Sequence, residues 1–138
     1  QCREVMEGLG ARLCARHATP EQVAELKELC KEMHAIEDAT ARVEVNSRFH
    51  SMIAQFSGND RVVDYLADFR ERVNRDMYLS SFNAVRTHDC DDEHDHIVDA
   101  IERHDEVAAE NAMRKHINNA FIFKRANAEL QDKNLNEV

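Results

Sequence analysis

The chain has 138 residues, 43% of them hydrophobic, with only 3 Gly and 1 Pro and a formal net charge of −9. That length supports one domain with its own core, and the scarcity of breakers points to an all-helical protein. The acidic balance excludes a phosphate-gripping surface as the main feature, no apolar run is long enough to span a bilayer, and no secretory signal opens the chain.

Six helices can be read in order, packed as an antiparallel bundle. The first covers roughly residues 2–16, with Val5, Leu9, Leu13 and Cys14 near one face. "ATPEQ" then restarts the chain: Thr19 caps, Pro20 fits the first helical position and Gln22 completes a capping box. The second helix runs to about Ala35, with Val23, Leu26, Leu29, Cys30 and Met33 inward. The third carries "TARVEVNSRFHSMIAQF" and stops at "SGND", where Gly58 or Asn59 can take the left-handed closing conformation. The fourth spans about Asp60 to Leu79, on the stripe Val62, Leu66, Phe69, Val73 and Met77. "SSFNAVRTHDCDD" reads as a loop, with room for a short seventh helix before Asp91. Its acidic end feeds the fifth helix. Asp105 caps the sixth, which ends near Leu130 and leaves a frayed polar tail. Nothing in the sequence marks a boundary, so residues 1–138 are expected to form one domain. The 4 Cys form no CxxC pair and read as reduced thiols of a cytoplasmic protein.

Of the 8 His, five fall at helix ends, beside stripes or in the loop: His17, His34, His88, His96 and His104. These read as solvated groups. The other three sit on apolar stripes. Asn46, Phe49, His50 and Ile53 share a face of the third helix, and His94, Ile97, Val98 and Ile101 a face of the fifth. Ala109, Ala112, Met113, His116, Ala120 and Phe123 line the sixth. One inward His is ordinarily a core residue bonded to a carbonyl. Three are costly to bury without partners, and one divalent cation would satisfy them together. Imidazole suits Zn, Ni, Cu and Fe, so the rings do not select the ion. Asn46, one turn before His50, points where His50 points, but its amide oxygen is a weaker ligand than a carboxylate.

"QCREVMEGLGARLCARHATPEQVAELKELC", "NSRFHSMIAQFSGND" and "EHDHIVDAIERHDEVAAENAMRKHI" together resemble the effector-binding domain of GntR-type transcriptional regulators, the FadR C-terminal-like or FCD domain. The resemblance covers nearly the whole chain. The family's metal pattern falls on Asn46, His50, His94 and His116, with Asn46 standing where the family usually has Asp. The resemblance implies a central cavity holding a divalent transition metal, Zn or Ni. It implies a small organic acid effector that shares the metal, and a homodimer that meets DNA only through an N-terminal winged helix-turn-helix domain absent from this chain. It also implies an effector-binding role for Arg3, which matches a recurring Arg. An ion pair with Glu7, one turn on, accounts for Arg3 equally well. Arg70, Arg72 and Arg75 are further candidates on the fourth helix.

Two other readings compete with a sensor that is not an enzyme. A metal-dependent hydrolase would use "THDCDDEHDH", a weak signal in a chain this rich in His and Asp. Facing Glu-x-x-His pairs of a di-iron site do not occur on the apolar stripes. A purely structural dimerisation module would keep the three inward His as hydrogen-bonded core groups.

Overall fold

A computed structural model describes residues 2–69 and 85–136. Among the described residues the fold is all-α, with six helices and no strand. They are α1 (Cys2–His17), α2 (Pro20–Ala35), α3 (Ala39–Phe56), α4 (helical over 60–69), α5 (Val85–Glu102) and α6 (Glu106–Asn136).

Local chemistry sets most of the ends. Thr19 accepts from the Gln22 amide at 3.2 Å, and the Gln22 side chain accepts from the Thr19 amide at 3.0 Å, closing the capping box of α2. Asp38 caps α3 through the Ala41 amide, and Asn59 caps α4 through the amides of Arg61 and Val62. Gly58 takes φ +66° between α3 and α4, a conformation that penalises any Cβ. Asp105 caps α6 through the Ala108 amide. At the same joint His104 adopts φ +54°, and its Nδ1 lies 2.8 Å from the Ala15 carbonyl near the end of α1. His104 is therefore a joint residue and not simply a solvated group. His34 likewise has a partner, with its Nε2 2.8 Å from Asp95.

Cross-helix pairs give the directions. Glu4, Arg12 and Arg16 of α1 meet Arg114, Glu110 and Glu106 of α6, so the two helices run antiparallel. Lys27 and His34 of α2 meet Glu102 and Asp95 of α5 in the same reversed order. The core between them contains Leu26, Met33, Phe49, Ile53, Ile97, Ile101 and Met113.

Four sequence expectations need correction. The buried face of α1 is Glu7, Gly8, Gly10, Ala11, Cys14 and Ala15, whereas Val5 is 51% exposed. Small residues let α6 approach closely: a Cβ on Gly8 would lie 2.6 Å from the Arg114 side chain. The expected loop before Asp91 is helical from Val85, so residues 85–91 are the opening turns of α5 and not a separate seventh helix. His88 accordingly lies on a helix. A long-range contact anchors the second turn of α5: Asp91 is buried and ion-paired with Arg42, which also donates to the Met33 and Ile36 carbonyls at the end of α2. Finally, α6 runs on to Asn136, because polarity without Gly or Pro does not stop a helix. Val73 and Met77, with Arg70, Arg72 and Arg75, lie outside the described residues.

Candidate metal centre

Three helices, α3 and the consecutive pair α5 and α6, bring one imidazole each to a common point. His50 of α3, His94 of α5 and His116 of α6 are 7%, 1% and 4% exposed, and ligand nitrogens of all three lie within 4.8 Å of one another. Phe49 fixes the position of two rings, with its centroid 4.7 Å from that of His94 and 5.6 Å from that of His50.

The hydrogen bonds define which nitrogens face inward. His50 Nδ1 lies 3.0 Å from Glu7 Oε2, and His116 Nδ1 lies 2.7 Å from Glu93 Oε2. The opposite nitrogens, His50 Nε2 and His116 Nε2, approach each other at 3.3 Å. Two nitrogens bound to one tetrahedral ion at about 2.0–2.1 Å would be separated by about the same distance. Neither ring nitrogen of the buried His94 has a hydrogen-bond partner among the described residues. Two unpaired buried nitrogens are expensive, and a cation held by the cluster would satisfy one of them. The donor set thus fits a divalent transition metal.

The electrostatics favour neutral rings at His94 and His116. Burial lowers the pKa of His94 well below 6.5, and the neighbouring His116 and His50 push it the same way. Burial also lowers His116, to about 4, although the Glu93 carboxylate resists. Burial alone would raise Glu7, but the adjoining His50 and Arg3 outweigh it and bring Glu7 down to about 2. An ionised carboxylate and neutral imidazoles are the forms a metal centre requires.

Asn46 is half-buried on α3, one turn before His50. Arg3 donates from Nε to Glu7 Oε1 at 3.2 Å. Its terminal nitrogens make no hydrogen bond to any described residue. His96, near His94 in sequence, is exposed and apart from the cluster. Glu7 and Glu93 join the cluster through contacts that the sequence does not assign to the site. Glu7 is detectable there, because Glu7, Ala11 and Cys14 recur at helical spacing on the small-residue face of α1. Glu93 sits in the run "DDEHDH", where nothing local distinguishes one acid from another.

Comparison with known proteins places this geometry in context. The family model described as the FCD domain matches residues 1–119. The HTH-type transcriptional repressor NanR of Escherichia coli K12 is 32% identical over 126 residues, covering 86% of this chain and 46% of the relative. NanR of Enterobacter sp. strain 638 gives the same identity and coverage. The chain therefore spans less than half the length of these relatives. Among solved structures, Streptococcus agalactiae GntR superposes with a TM-score of 0.67 at 27% identity, over 90% of this chain and 55% of that one. E. coli McbR/YncC superposes at 0.79 with 16% identity, over 91% and 65%, a likeness of fold alone.

Proposed function

The chain belongs to the FCD domain family, the effector-binding domains of GntR-type regulators, and on that premise we propose that it senses a small organic acid through a divalent metal held by His50, His94 and His116. The observation that carries this reading is His94, which is buried with both ring nitrogens unpartnered among the described residues, beside two Nε2 atoms 3.3 Å apart. When bound, the metal would supply Lewis acidity and exchangeable positions for a carboxylate. Zn and Ni suit the three imidazoles. Asn46 would add a weak amide oxygen or bond a ligand from behind.

The protein's own groups would do the rest. Phe49 and the surrounding core keep water from the backs of the rings. Arg3, with its Nε on Glu7 and its terminal nitrogens available, would bind the anion at the edge of the site. Effector binding in a central cavity would bias DNA binding by a winged helix-turn-helix domain elsewhere in the full protein. The regulator would act as a cytoplasmic two-fold dimer, because paired half-sites call for paired readers. No helix among the described residues is long and apolar enough to cross a membrane. The protein would bind without turnover.

The test is calorimetric titration of zinc-loaded and zinc-free protein with a panel of small organic acids. The proposal expects at least one acid to bind the loaded form at least tenfold more tightly, and no acid to be converted. Equal affinities for both forms would show that the metal is not the anchor.

A further inference from the structure

No ligand to the proposed ion comes from α1, yet α1 reaches the centre through Glu7. Glu7 is buried and lies 3.0 Å from His50 Nδ1, and Glu93 of α5 lies 2.7 Å from His116 Nδ1. A neutral imidazole carries one proton, on either Nδ1 or Nε2, and the hydrogen bond at one nitrogen decides the state of the other. An ionised carboxylate can only accept, so it draws the proton to Nδ1 and leaves the lone pair on Nε2. The two lone pairs then face each other across 3.3 Å, an arrangement that repels unless a cation lies between them.

We propose that Glu7 and Glu93 are positioning residues that select the Nδ1–H tautomer of His50 and His116 and so make both Nε2 atoms metal ligands. This rests on the metal reading above. Each carboxylate is fixed at its second oxygen as well: Arg3 Nε donates to Glu7 Oε1 at 3.2 Å, and Asn119 Nδ2 donates to Glu93 Oε1 at 2.6 Å. A carboxylate held at both ends cannot swing away from its ring, so ring orientation is set before the ion arrives. His94 has no such group behind it among the described residues, and its tautomer is left for the ion to choose. The centre therefore has two preset ligands and one adaptable ligand. Through Glu7, occupancy is also felt on α1.

Nitrogen-15 NMR of the zinc-free protein reads each imidazole tautomer directly. The wild type should show Nδ1–H at His50 and His116. Glu7→Ala should lose that signature at His50 alone, and Glu93→Ala at His116 alone. Zinc titration of the same variants should show affinity lowered roughly 10–100-fold, with one ion per chain retained. Glu7→Gln and Glu93→Gln keep an accepting oxygen and should recover part of both readouts, which a general packing defect would not allow. Alanine variants with wild-type tautomers and wild-type zinc affinity would overturn the proposal. A wild type that takes up no zinc would overturn the metal reading instead, and the tautomer spectra would still decide whether the carboxylates set the rings.

Discussion

At the scale of single residues, Asn46 is where this chain departs from the pattern it resembles. A carboxylate there would add one negative charge in a partly dry site, where charge interactions are less screened than in water. Asn46→Asp should therefore tighten zinc binding by about tenfold and weaken an organic acid sharing the ion. Opposite signs in the two titrations are the diagnostic result, and unchanged zinc affinity would place Asn46 outside the centre. His50, His94 and His116 are legible in the sequence because each interrupts an apolar stripe at helical spacing. Glu93 is not, because its role depends on His116, 23 positions away, and spacing within one helix carries no information about a neighbouring helix. Arg3 is legible as an ion-pair partner of Glu7, but that Glu7 bonds His50 belongs to the packing of α1 on α3.

At the scale of elements, turn chemistry is the most reliable guide. The Thr19–Gln22 box and the Asp105 cap both follow from short motifs, and both are present. Gly58 takes φ +66°, and a Cβ added there would meet nothing within 4 Å, so backbone conformation alone restricts this site. Gly58→Ala should lower unfolding free energy by about 1 kcal/mol in denaturant titration. A neutral or stabilising result would mean that the α3–α4 joint does not need the left-handed conformation. The start of α5 is hidden in the sequence because "RTHDCDD" has no apolar periodicity. Asp91, in its second turn, is buried and ion-paired with Arg42, a contact between positions 49 apart. The face of α1 is hidden for a related reason. Close helix packing selects Gly and Ala, and these carry little weight when hydrophobic faces are assigned.

At the scale of the whole molecule, the buried imidazoles tie stability to pH. In the metal-free protein His116 has a pKa of about 4 against 6.5 in the unfolded chain, and His94 is also lowered. Between these values the unfolded state holds more protons than the folded state, so stability falls as pH drops through the window. His116 alone accounts for on the order of 3 kcal/mol, and its effect levels off below pH of about 4. Urea unfolding in chelator at a series of pH values would measure this. A flat profile between neutrality and that lower limit would mean the rings are not buried neutral. Bound metal should raise the profile and carry its slope below that lower limit, because it binds only the folded, deprotonated cluster.

The central claim is that three stripe histidines hold one divalent ion, and metal stoichiometry of purified variants tests it most directly. The protein, stripped and reloaded with zinc, should retain one ion per chain. His96→Ala, which removes an exposed ring two positions from His94, should retain the same amount, and His94→Ala should retain little or none. Loss of zinc in His96→Ala with retention in His94→Ala, or no zinc in the wild type, would contradict the account.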